Sequence, residues 1–141
     1  MKDSFLISKQ IANSTRFLRL PGSTQALYFH MNGDADDLGI VEVLATMRKT
    51  NAVEQDLLTL ISSGLITLLD KNDLICYINN YSLTNSNRDI RYVKISQYLR
   101  LLAEKLPDER IMLAKINEEG KKSRVWCSAE EAMQEIPKLL R

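Results

Sequence analysis

The stretch Leu65-Ile66-Thr67-Leu68-Leu69-Asp70-Lys71-Asn72-Asp73-Leu74-Ile75-Cys76-Tyr77-Ile78 decides the fold. Two short, mostly apolar runs flank four residues, Asp70 to Asp73, whose side chains favour turns. The runs at 65–69 and 74–78 are therefore expected to pair as an antiparallel β-hairpin. On its N-terminal side, Asn51 to Ser63 places Val53, Leu57, Leu58, Leu60 and Ile61 at helical spacing, with Gly64 as a stop. Val41 to Lys49 reads as a shorter helix with Val43, Leu44 and Met47 on its apolar face. Earlier still, Ala26, Leu27, Phe29, His30 and Met31 give a helix that ends near Asn32-Gly33, and the hydroxyls of Ser23 and Thr24 suit its N-cap. Residues 6–20 are too irregular for a helix and read as an N-terminal arm. Three short helices followed by a hairpin is the order of a winged helix, an α+β fold, expected over about residues 1–98.

Beyond the hairpin, an Asn/Ser-rich stretch from Asn79 to Asn87 gives way to a helical pattern of Ile95, Tyr98, Leu99 and Leu102, closed by Pro107. Ile111, Leu113 and Ile116, a turn at Glu118 to Lys121, and Val125-Trp126-Cys127 form a second hairpin signal. Ser128-Ala129-Glu130-Glu131 is a capping-box pattern that opens a last helix, disturbed near its end by Pro137. Residues 99–141 are accordingly expected to form a ββα-like appendage, with oligomerisation as a candidate role.

The chain of 141 residues suits one domain, or one domain with an appendage, and 45% hydrophobic residues allow a real core. No apolar run approaches the ~18–20 residues of a transmembrane helix, and the start lacks the pattern of a signal peptide. A soluble, cytoplasmic protein is expected. Cys76 and Cys127 have no CxxC spacing, and a single His argues against a histidine-based metal site, so both cysteines are read as small apolar residues. Asp34, Asp36 and Asp37 invite a cation, but an EF-hand loop starting at Asp34 would put Leu38 and Ala45 at ligand positions. Their expected work is loop solvation and helix capping. His30 is read as a packed or helix-end histidine. No phosphate-cradling glycine motif and no activated nucleophile appears, so neither an enzyme nor a cofactor is expected.

Charge is unevenly spread although the total is only +1. Residues 34–56 carry six acids against Arg48 and Lys49. The third helix, with Glu54, Gln55 and Asp56 read as exposed, is then a poor face for phosphates. Residues 84–100 instead carry Arg88, Arg91, Lys94 and Arg100 against Asp89, among tyrosines and amides, and residues 2–19 carry Lys2, Lys9, Arg16 and Arg19 against Asp3. Arg88, Arg91 and Lys94 are the leading candidates for phosphate contacts, with Lys71 in the wing turn and Lys9 and Arg16 in the arm.

A longer pattern joins these parts: Ser8-Lys9, Ser14, Phe17, Leu20-Pro21, the run Ser23-Thr24-Gln25-Ala26-Leu27-Tyr28-Phe29-His30, and Ala35-Asp36-Asp37 with Gly39. Over about residues 4–95 it resembles the winged-helix domain of phage and prophage replisome organisers, relatives of the DnaD-like replication-initiation proteins. Tyr81, Asn85, Arg91 and Tyr92 fit the aromatic–Asn and Asp–Arg–Tyr character of the segment after the hairpin in that family. Leu38 departs from it, standing where a third acid is usual, and residues 99–141 do not look like its longer C-terminal domain. The resemblance implies a non-enzymatic replication-initiation protein that binds DNA and recruits replication proteins such as a helicase loader. Much of the shared pattern is also fold, with Phe17, Leu27, Tyr28 and Phe29 expected to pack. Two other readings stay open: an interaction module that forms a homo-oligomer and touches no DNA, and a small phage transcriptional regulator.

Overall fold

The hairpin forms where its turn residues put it. A computed structural model describes residues 4–85, 96–116 and 118–139. In chain order the elements are α1 (Lys9–Ala12), α2 (Thr15–Leu18), α3 (Gly22–Asp34), β1 (Ile40–Glu42), α4 (Val43–Thr50), α5 (Glu54–Ser62), β2 (Ile66–Asp70), β3 (Ile75–Ile78), α6 (Tyr81–Thr84), α7 (Leu99–Lys105), β4 (Arg110–Ile116), β5 (Lys122–Ser128) and α8 (Ala129–Leu139). The class is mixed α+β, with two small antiparallel sheets among helices. No helix among the described residues is long and apolar enough to cross a membrane.

β2 and β3 pair antiparallel, with Ile66 opposite Ile78 and Leu68 opposite Cys76. At the turn, the Asp70 carboxylate accepts the N–H groups of Asn72 at 2.8 Å and Asp73 at 3.3 Å, which lets the side chain stand in for a backbone turn. β1 completes this sheet on the other edge of β3, with Ile40 opposite Tyr77, in the order β1-β3-β2. Sequence reading starts a helix at Val41. The chain instead spends Ile40 to Glu42 as a strand, because the β-branched Ile40 and Val41 are both buried beside β3, and the helix begins at Val43.

Gly39 sets up that strand. Its φ of +90° belongs to the region that L side chains rarely adopt, and an added Cβ would lie 2.4 Å from the Cβ and Cγ of Tyr81. Just before it, Asp36 accepts the N–H groups of Leu38 and Ile40, each at 3.0 Å, and so closes the loop onto the strand.

Three further departures have local causes. The irregular arm contains two single-turn helices, and it is held down by Asn85, whose amide accepts the Leu6 N–H at 2.8 Å and donates to the Leu6 carbonyl at 3.1 Å. Ser23 and Thr24 do not cap α3. They lie inside it, and both hydroxyls donate to Asp56 Oδ1 on α5, at 2.8 and 2.7 Å. Asp56 is therefore buried, at 5% exposure, and not the surface acid the helical spacing led one to expect. Its other oxygen accepts the Val53 N–H at 3.0 Å, so one carboxylate closes the first turn of α5 and ties that helix to α3.

A single apolar cluster contains Phe17, Leu27, Tyr28 and Met31 from the N-terminal helices, the inner residues of the three-stranded sheet, and Leu99, Leu102, Ile111, Leu113, Cys127, Ala129 and Ala132 from the C-terminal elements. Phe29 sits at its rim, half exposed, with its ring 5.4 Å from that of Phe17. Cys76 and Cys127 are both buried, and burial pushes the Cys76 thiol up to about 12. The second sheet pairs Ile111 with Cys127 and Leu113 with Val125. Ser128 caps α8, its hydroxyl accepting the Glu131 N–H at 3.1 Å.

Two substitutions test these constraints. Asp56→Ala strands the Thr24 hydroxyl and the Val53 N–H, and urea unfolding should show a loss of about 2–3 kcal/mol. The Val53 amide above all, with Thr24 and Ser23, holds the Asp56 carboxyl below the usual carboxylate range. That stabilisation is whole above the unfolded pKa of about 3.9 and is lost as pH falls through the lower folded value, so the gap between wild type and Asp56→Asn should narrow below about pH 4. Gly39→Ala should cost about 3 kcal/mol or more by the same assay, from left-handed strain and the clash with Tyr81.

Candidate nucleic-acid interface

Of the residues proposed from sequence to contact phosphates, Arg88, Arg91 and Lys94 lie outside the described residues. The other three are described, and the fold separates them. Lys71 is exposed at the tip of the β2–β3 turn, between Asp70 and the next acid, Asp73, so the tip is not a cationic spot. Lys9 opens α1 and is exposed. Arg16 lies on α2, and its guanidinium donates to the Ser63 carbonyl at 2.5 Å, beyond the C-terminus of α5. This is a favourable place for a cation, because the last carbonyls of a helix lack partners. Arg16 and Lys71 stand near opposite ends of β2, whose five residues span about 13–16 Å at a strand rise of about 3.3 Å per residue. They do not form one patch.

The exposed side of α5 carries Glu54, Gln55 and Leu58, and no Lys or Arg occurs in the helix. With Asp56 buried, one of its expected surface acids is gone, yet the face still offers no cation to a phosphate. Acids gather elsewhere, around a cavity of about 400 Å³ lined by Asp34, Asp36, Glu42, Thr46, Lys49 and Tyr98, among others. All three carboxylates there have internal partners. Asp34 takes the Thr46 hydroxyl at 2.7 Å and forms an ion pair with Lys49 at 2.6 Å. Against the upward push of burial, these bonds bring its carboxyl below the usual range. Asp36 is shifted the other way, because burial outweighs the bonds from Ser96, Ile40 and Leu38. Glu42 accepts the Tyr98 hydroxyl. The Ala-Asp-Asp run is thus wired into the fold at Asp36, which closes a loop onto β1 and caps no helix, whereas sequence reading gave these acids loop solvation and helix capping.

The second sheet holds a feature that sequence reading leaves without a role. Its register places Arg110, Met112, Ala114 and Ile116 opposite Ser128, Trp126, Arg124 and Lys122, so these eight side chains share one face. The other face carries Ile111, Leu113 and Cys127, which belong to the core together with Ala129 and Ala132 of α8. Arg110, Lys122, Arg124 and Trp126 are all exposed. The alternation Lys122-x-Arg124-x-Trp126 is visible in the sequence, but only the register brings Arg110 to it.

No family model, curated protein or solved structure matches the chain.

Arg16 and Lys71 should behave differently when truncated. Arg16→Ala removes the bond to the Ser63 carbonyl and should cost up to about 1 kcal/mol in urea unfolding, while Lys71→Ala should stay within about 0.5 kcal/mol.

Proposed function

We propose that this chain is a non-enzymatic, winged-helix DNA-binding protein of phage or prophage replication initiation, working in the bacterial cytoplasm with replication proteins such as a helicase loader. The observation that carries the reading is the order α3, β1, α4, α5, β2, β3, with β1 closing the sheet beside β3. A strand between the first two helices, paired with the last strand of the hairpin, is what a winged helix adds to three helices and a wing. The long Ser23 to His30 pattern supports the same family, and its polar members have work in the fold: Ser23 and Thr24 bind Asp56.

Phosphate contacts in this reading come from Arg88, Arg91 and Lys94 after the hairpin, with Lys71 and Lys9 adding outlying charge and Arg16 sharing its guanidinium with Ser63. A guanidinium has five donors, so the bond to Ser63 leaves others for a phosphate. α5, in the position of a recognition helix, has no cation with which to enter a groove.

That same face favours a second reading, an interaction module that pairs with protein and not with DNA. Val53 is 61% exposed and Leu58 is 47% exposed beside Glu54 and Gln55, a mixture of apolar and acidic groups suited to a protein partner.

Fluorescence anisotropy with labelled duplexes of unrelated sequence, across salt concentrations, separates the two. Wild type should bind with a steep salt dependence. Replacing Arg88, Arg91 and Lys94 together by Ala should weaken binding about equally on every sequence and flatten the slope by about three units. Gln55→Ala should change little. Unchanged affinity in the triple variant with loss in Gln55→Ala would make α5 the reader, and no binding by wild type at low salt would leave the interaction module.

A further inference from the structure

On one face of the β4–β5 ribbon, Arg110, Ile116, Lys122, Arg124 and Trp126 are exposed around a buried Met112. Arg110, Arg124 and Lys122 alternate along it with Trp126, and none of the eight positions on that face is acidic. Residues 110–128 hold five cations and two acids, Glu118 and Glu119, both in the turn beyond the paired strands. Glu130 and Glu131 follow the ribbon at the start of α8, the helix that packs against its core-facing side, and Glu131 lines a cavity of about 210 Å³ together with Trp126 and Lys115.

Trp126 is 37% exposed, an unusual position for the one tryptophan of a chain whose core has room for large rings. Met112, directly opposite on β4, is fully buried and gives the indole a packed neighbour. Arg124 lies two residues along the same strand, and Arg110 lies diagonally across. An aromatic plane held on a rigid ribbon, with guanidinium groups on two sides, is the arrangement that stacks an unpaired base and neutralises the phosphates beside it.

We infer that this ribbon face binds single-stranded nucleic acid, with Trp126 stacking on a base and Arg110, Arg124 and Lys122 meeting the backbone. A duplex keeps its bases stacked on each other and leaves the indole nothing to stack on. A second copy of the chain would set cations against cations. The inference stands on the ribbon alone and needs neither the winged-helix reading nor any contact near the hairpin.

The single tryptophan makes the site its own reporter. Titration of the intact chain with a dT oligonucleotide of about 15 nucleotides should quench Trp126 emission, and a duplex of equal length should quench it far less. With a labelled oligonucleotide read by anisotropy, Arg110→Ala with Arg124→Ala should lower affinity about tenfold and flatten the salt slope by about 1.4, at 0.7 per lost single-strand contact. Trp126→Ala should lower it tenfold or more, and Trp126→Phe should recover part of that loss because it keeps a ring face. All these positions are exposed, and circular dichroism should show the fold intact. The variant lacking Arg88, Arg91 and Lys94 should keep the quench, while duplex affinity reports separately on the function proposed above. Absence of the quench, equal quenching by duplex, wild-type affinity in the ribbon variants, loss of the quench with Arg88, Arg91 and Lys94, or emission that shifts with protein concentration alone would each overturn the inference.

Discussion

β3 is the constraint on which the other elements depend. Ile75, Cys76, Tyr77 and Ile78 are each no more than 3% exposed, so this strand has no polar face. A strand buried on both faces needs a neighbour on each edge and cover on each side, because its backbone groups and its side chains have no access to water. β1 and β2 supply the edges. The cover comes from both ends of the chain, since residues of α3 and α5 and residues of α7, β4 and α8 all belong to the cluster that holds β3. The C-terminal elements are in that sense part of the same core, with α7 packed against β2 and α6 against β4.

The loop before β1 is shaped by the same demand. β1 is only three residues long, and its placement rests on Gly39, on the Asp36 carboxylate that gathers two backbone N–H groups, and on the Ile78 N–H that bonds to the Gly39 carbonyl at 2.9 Å. Tyr81 lies against the bare Cα of that glycine. Backbone freedom at one residue thus lets a buried aromatic ring seal the end of the sheet.

Legibility in the sequence followed the length and regularity of each signal. The hairpin was readable because two apolar runs flank a turn with its own chemistry, and α5 and α8 because helical spacing and an end signal agree. β1 was not, since three residues give no period and Val41 also fits the helix that follows. The burial of Asp56 was hidden for a different reason. An acid in the first turn of a helix is ordinary at a surface, and only the approach of Ser23 and Thr24 from α3, more than thirty positions away in the chain, makes it an internal clamp. Of the candidate interface, the cationic segments were readable as charge, but which cations share a face depends on strand register and on distances that no local pattern contains.

A sequence total of +1 from 19 basic and 18 acidic residues therefore says little about what a partner would meet. Acids and bases enter that sum equally, but the fold uses them unequally. Asp56 is buried under three hydrogen bonds, Asp36 is tied to Ser96 and two amides, and Asp34 is paired with Lys49, so these three carboxylates are engaged in holding loops and helices together. Exposed cations on the ribbon are concentrated on one side of two strands, where alternation keeps every second side chain on the same face. Partial charges screened over a Debye length of about 8 Å act locally, so it is this arrangement, and not the balance over the whole chain, that governs attraction of a polyanion.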